Sequence, residues 1–353
     1  MSTTSEIIDR AMAAAGALRV ARSRARTGLT ILMYHRVLPA AEAAQTEPRN
    51  LVVDAECFAR QMDELARTAE VVTVGEAMAG GESGLTARTG RPRVAVTFDD
   101  GYLDNAEHAA PIMEARGLRG TFFVTSGFVA GTPMWLDRAV AIAAGEGGAG
   151  LRAELDLPAS APLDPVLGRV KRRPADERDA ILDRHANPSD AASDAANDAP
   201  GDAPGDAVSV AACPPAMRPA DLQRLAGAGH EIGGHTVTHP ILIHEEPARI
   251  RRELAENRAA LEEWAGVPVT GLAWPNGDAD ETVRAIAREC GYAWSCATRR
   301  GRATAVDDPM DLPRRMIGPC SAPGHAVGSC RAAFAAEVWG VHDGLRRLIR
   351  RFR

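Results

Sequence analysis

Two short stretches carry side chains whose types and spacing could do chemistry. The first is Thr97-Phe98-Asp99-Asp100-Gly101-Tyr102, a pair of carboxylates at the end of an apolar, β-branched run. Side chains alternate along a strand, so one aspartate can reach an ion while the other faces elsewhere in the same pocket. The same residues also fit an Asp-Gly turn with a helix-capping aspartate. The second stretch is Gly233-Gly234-His235-Thr236-Val237-Thr238-His239-Pro240. Imidazoles at i and i+4 can meet one ion, particularly across a helical turn, although such a pair also arises by chance. Both stretches follow short predicted strands, and β/α folds place their sites at the C-terminal ends of parallel strands. One aspartate with two histidines makes three protein ligands and leaves a position for water, the pattern of catalytic rather than structural zinc.

TFDDGY followed by HTVTHP resembles the first two motifs of the polysaccharide deacetylase family (the NodB-homology domain). The resemblance covers roughly residues 29–318, and Ile31-Leu32-Met33-Tyr34-His35-Arg36-Val37 and Ala273-Trp274-Pro275-Asn276-Gly277 are similar to segments of one branch of it. It implies Asp100, His235 and His239 as metal ligands, Asp99 as the base that deprotonates the attacking water, and the Tyr102 main-chain N–H as an oxyanion donor. The family's late L-x-H motif, source of its general acid, is missing: Leu312-Pro313-Arg314-Arg315-Met316-Ile317-Gly318 holds no histidine. His35, at the end of the first predicted strand, is the substitute expected here, with His325 behind it. Where many members carry an arginine that orients the base, this chain has Ala273; Arg314 could replace it, or could form only a surface salt bridge. Trp274 and Pro275 are expected to line the substrate groove, the alternative for Trp274 being a place in the core.

The elements needed to position these groups can be read from hydrophobic pattern. Leu29 to Tyr34, Val71 to Val74, Val94 to Phe98, Gly120 to Val124, Glu231 to Gly233, Val269 to Ala273 and Tyr292 to Cys296 read as strands. They alternate with helical segments over Cys57 to Ala69, Asn105 to Arg116, 219–228, 245–264 and Asp280 to Cys290. Such alternation argues for an α/β fold with a parallel sheet, open or closed; the resemblance implies a distorted (β/α)7 barrel. The chain divides into a basic helical leader (1–27), the barrel (28–320) with an insertion at about 141–214, and a basic helical tail (321–353). Within the insertion, Asn187 to Asp206 is almost wholly Ala, Asp, Pro, Gly and Ser, and is expected to be disordered.

The 353 residues are 45% hydrophobic and 25% charged, with a net charge of −6. That balance gives no electrostatic footprint for nucleic acid. The Leu345 to Arg353 end is basic and could sit on an anionic membrane surface, or be a solvated helix end. The six cysteines form no CxxC pair and read as free thiols. With no signal-peptide pattern and no apolar run of spanning length, the expected place is the cytoplasm. The expected activity is metal-dependent removal of acetyl groups from the amino sugars of an N-acetylated glycan. Zinc is the first choice, with cobalt, nickel or manganese also tolerated. The alternatives are a deacetylase of a small or lipid-linked sugar inside the cell and a non-catalytic carbohydrate-binding barrel.

Overall fold

The computed structural model describes residues 17–87, 89–186, 213–319, 327–341 and 343. Its centre is a closed barrel of seven parallel strands: β1 (Leu29–Tyr34), β5 (Arg93–Phe98), β6 (Thr121–Val124), β7 (Glu231–Gly234), β8 (Gly271–Ala273), β9 (Trp294–Arg300) and β10 (Leu312–Met316). β1 closes it by pairing with β10 on one side and with β5 on the other, in a register running from Leu29 opposite Arg93 to Tyr34 opposite Phe98. β4 (Glu70–Val71) extends the sheet from β5, and β2 (Arg36–Leu38) pairs with β3 (Val52–Asp54) in a separate ladder. β1 and β5 are buried along their whole length, as expected of strands covered on both faces.

Alternation along the strands sorts the core into two shells. Leu29, Ile31, Ala95, Phe123, Ala273, Trp294, Cys296 and Leu312 form one cluster, inside the barrel. Leu32, Tyr34, Val96, Phe98, Phe122 and Val124 form another, beneath the helices. The inner shell is tight: a Cβ on Gly271 would lie 2.0 Å from the Trp294 ring. Among the surrounding helices are α1 (Ala55–Thr68), α2 (Ala110–Glu114), α7 (Pro219–Gly227), α8 (Pro247–Ala265) and α9 (Glu281–Glu289), with α10 (Val327–Val338) near the C-terminus. The run expected as a strand over Val71 to Val74 splits, because Thr73 caps a short helix at Val74–Ala79 with a reciprocal bond to Glu76.

A helical module that the sequence pattern left unassigned begins at Trp135, just ahead of the insertion, and runs through its first part. α3 (Trp135–Ala144), α4 (Gly148–Glu154), α5 (Leu163–Lys171) and α6 (Ala175–His185) share a core of their own, including Trp135, Leu151, Val166, Val170 and Leu182. Short helices separated by glycine and proline kept the period from showing. Asn187 to Asp206, His325 and the basic Leu345 to Arg353 end lie outside the described residues. The free-thiol expectation is corrected at Cys57, which is disulfide-bonded; no paired spacing marked it in the sequence. Among the described residues no helix is long and apolar enough to cross a membrane.

Candidate metal centre

Every sequence-predicted group except His325 can be placed. Asp99 and Asp100 follow β5, His235 follows β7, His35 follows β1, and Arg314 lies within β10. All sit toward the C-terminal mouth of the barrel. Asp100, His235 and His239 each offer a ligand atom, and these atoms lie within 4.8 Å of one another. Asp100 Oδ1 is 3.4 Å from His235 Nε2 and 3.5 Å from His239 Nε2. The imidazole rings meet edge to face at 4.8 Å between centroids.

The surroundings prepare these donors. His235 Nδ1 lies 2.8 Å from the Ala273 carbonyl, which fixes the proton on Nδ1 and leaves Nε2 as the lone-pair donor. Burial and the neighbouring His235 charge push the His239 imidazole down to about 3, so it is neutral at ordinary pH. Burial works against ionisation of Asp100, but His235, His239 and His35 outweigh it and hold the carboxyl well below the usual range. A carboxylate and two imidazole Nε2 atoms converging on one point are a fit for a divalent ion, which would displace the proton that Asp100 and Asp99, against burial, favour on His235.

The backbone is bent to make this convergence. Asp100 (φ 81°), Thr236 (φ 68°) and His239 (φ 53°) all occupy the left-handed region, which non-glycine residues keep only where neighbours over-determine it, at about 1–3 kcal/mol each. The neighbours are present. The Asp100 carbonyl accepts from Thr125 N–H at 3.1 Å. Asn257 Nδ2 donates to the Thr236 carbonyl at 2.6 Å. Glu253 Oε2 accepts from the N–H groups of Val237 and Thr238 at 2.8 and 2.9 Å. Glu253 and Asn257 are buried residues one turn apart on α8, missed by sequence reasoning. The available signal was a polar pair at i and i+4 within the apolar stripe of Ile250, Leu254 and Leu261.

Arg314 is paired with Asp99. Its Nη1 and Nη2 donate to Asp99 Oδ1 and Oδ2 at 2.6 and 2.8 Å, and its Nε donates to the Ala297 carbonyl at 2.9 Å. The pair is fully buried, which settles the choice against a surface salt bridge. Alternation explains the meeting: Ala95, Thr97 and Asp99 share one face of their strand and Leu312 and Arg314 one face of theirs, both turned into the barrel. Burial opposes the charge on Asp99, and the Arg314 guanidinium more than offsets it, so Asp99 stays ionised below its usual range.

The remaining expectations fare differently. His35 is half-buried, and its imidazole is close enough to help hold both Asp99 and Asp100 down. At Tyr102 the flanking main chain is fixed by Leu103 N–H on the Pro215 carbonyl and Met217 N–H on the Gly101 carbonyl, both 2.9 Å. The phenol is buried and donates to Asp137 at 3.0 Å. Trp274 does not open onto a groove: it is 1% exposed, with its indole N–H on the Met310 carbonyl. Pro275 is buried beside it. Trp274 joins the shell beneath the helices, because alternation turns it away from the barrel interior that Ala273 faces. The tryptophan that does reach the centre is Trp135, whose indole N–H donates to the His239 carbonyl at 3.0 Å and lies 3.1 Å from His239 Nδ1.

A model of the polysaccharide deacetylase family matches residues 86–144 and 193–295, which include both aspartates and both histidines. A gellan lyase from Bacillus sp is 41% identical over 68 residues, 19% of this chain, and the chain spans only 3% of that relative's length. Among solved structures, the Streptococcus pyogenes deacetylase PplD in complex with acetate has a TM-score of 0.54 at 17% identity, over 83% of this chain and 93% of that one. The de-N-acetylase from Aggregatibacter actinomycetemcomitans has a TM-score of 0.52 at 13% identity, over 87% and 99%. At such identities the likeness is one of fold. The sequence match, the seven-stranded barrel and the Asp-His-His centre agree: this chain belongs to the polysaccharide deacetylase family, hydrolases that act on carbon–nitrogen bonds.

Proposed function

We propose that this chain is a metal-dependent hydrolase that removes acetyl groups from the amino sugars of an N-acetylated glycan. The observation that carries the reading is Asp99, locked by Arg314, beside the Asp100, His235 and His239 donor set at one barrel mouth. A divalent ion held there, zinc by preference, supplies Lewis acidity toward the amide carbonyl and lowers the pKa of a water.

The chain's own residues do the rest. Asp99 takes the proton as the water oxygen bonds to the acetamide carbon. Arg314, occupying both carboxylate oxygens, keeps Asp99 charged and aimed. The Tyr102 main-chain N–H is the donor in this scheme to the oxygen that gains negative charge; comparable donors are worth about 3 kcal/mol. When the carbon–nitrogen bond breaks, acetate leaves and the sugar amine must gain a proton. His35, at the end of β1, is the donor in this scheme, the protein proton balance being restored when Asp99 releases its own.

The intact base and ligand set argues against a carbohydrate-binding barrel without activity. A disulfide at Cys57 fits an oxidising compartment better than the cytoplasm, which ranks a glycan outside the cytoplasm ahead of a small sugar within it. The test is acetate release from a panel of N-acetylated oligosaccharides, with and without a chelator. Release abolished by chelation and restored by added metal is the expected result. Chelator-insensitive release, or none from any N-acetylated sugar, would overturn the reading.

A further inference from the structure

The three metal-binding side chains are not supported by the same part of the molecule. Asp100 and His235 are held from the barrel and α8: Thr125 N–H on the Asp100 carbonyl, His235 N–H on the Val124 carbonyl, and His235 Nδ1 on the Ala273 carbonyl. His239 is held differently. Its N–H donates to Thr236 Oγ1 at 3.0 Å within the same loop, while its carbonyl is gripped from the helical module, by α3 ahead of the insertion and by α6 within it. Trp135, the first residue of α3, donates to the His239 carbonyl at 3.0 Å, and its indole N–H is also 3.1 Å from Nδ1; an imidazole that binds a metal through Nε2 keeps its proton on Nδ1, so the carbonyl bond is the one that holds the ligand. Arg178, on α6, donates to the same carbonyl at 3.3 Å. Its guanidinium also lies over the Trp135 ring, 5.0 Å from the centroid, and pairs with Asp179. Trp135 is 4% exposed and Arg178 2%.

His239 needs such a grip because its φ of 53° is not one it would keep unaided. Released, it would relax to negative φ and carry Nε2 away from Asp100. Arg178 also lies between residues 144 and 193, where the family model does not match, so this part of the grip belongs to the chain's own insertion.

On the reading of Asp100, His235 and His239 as metal ligands, we propose that Trp135 and Arg178 are positioning residues, through which the helical module sets metal affinity by holding His239. Partners of this kind typically change metal affinity about 10–100-fold when removed. The test uses the full chain, with zinc affinity measured by competition with a chromophoric chelator and ligand geometry by the visible spectrum of the cobalt(II) form. Trp135→Phe, which keeps an aromatic ring and removes the N–H, and Arg178→Met should each weaken zinc about 10–100-fold and alter the cobalt bands. Val283→Ala, which loosens the core beneath α9, away from this module, should bind both metals as the wild type does. Wild-type affinity and spectrum in Trp135→Phe and Arg178→Met would overturn the proposal, as would an equal loss in Val283→Ala. Absence of metal binding in the wild type would overturn the ligand assignment and this inference with it, whereas tight wild-type binding with unchanged variants overturns the inference alone.

Discussion

Replacing Arg314 with methionine removes a buried guanidinium and leaves Asp99, 3% exposed, without its counter-charge. Two bonds to the Asp99 oxygens, one to the Ala297 carbonyl and one to Thr97 Oγ1 disappear together. Breaking a buried pair by removing one partner costs about 3–5 kcal/mol, because the remaining charge stays desolvated. The pH dependence has a definite sign. In the wild type the Asp99 carboxyl is held down, so its contribution to stability is present above the unfolded carboxylate range and lost as pH falls through the folded value. Without Arg314, burial dominates and the carboxyl moves up, so the variant's deficit should be greatest near neutrality and shrink on acidification. Urea unfolding of the metal-free protein at neutral and acidic pH measures it. The acid limb of the pH–rate profile should move to higher pH, and turnover should fall by up to about 10²–10⁴-fold, the range for a general base. A variant with the wild-type urea midpoint and an unmoved acid limb would refute the assignment of Asp99 as base and Arg314 as its tether.

Three further outcomes follow from named contacts. If His35 protonates the leaving amine, His35→Ala should lower kcat and remove the alkaline limb of the profile; an unchanged profile would pass that role to another residue. Glu253→Ala strips two main-chain N–H groups and the Thr238 hydroxyl of their acceptor, so chemical denaturation should show a loss of about 2–3 kcal/mol, with Glu253→Gln close to wild type. Asp137 is pushed up to about 7 by burial, against the pull of Arg36 and of the Tyr102 hydroxyl. Its neutral form therefore contributes stability that is present below about pH 4 and lost as pH rises through 7, at about 1.4 kcal/mol per unit. Asp137→Asn should thus match the wild type near pH 4 and exceed it at pH 8; an equal difference at both would discard the argument.

The chemistry was legible where it is local. Adjacent aspartates after an apolar run and a histidine pair after Gly233-Gly234 each fall within a few residues, so spacing alone raises them. Arg314 was reachable too, since counting alternate positions from Leu312 turns it toward the face that carries Asp99. The supports were not legible. Trp135 meets His239 across 104 residues and Arg178 meets it across 61, and a contact made through a separate helical module leaves no periodic trace. Trp274 was misplaced for a different reason: an aromatic residue after a strand suits a sugar face and a core equally, and only packing beneath the helices decides. The closed barrel itself came from the family resemblance, because strand alternation alone left open and closed sheets equivalent.

The central claim is tested most directly by equilibrium dialysis of the purified chain against zinc, followed by elemental analysis, for the wild type and for Asp100→Ala, His235→Ala and Asp99→Asn. The account predicts a single tightly held ion in the wild type and in Asp99→Asn, and its loss in both ligand variants. Zinc retained by Asp100→Ala and His235→Ala would contradict it.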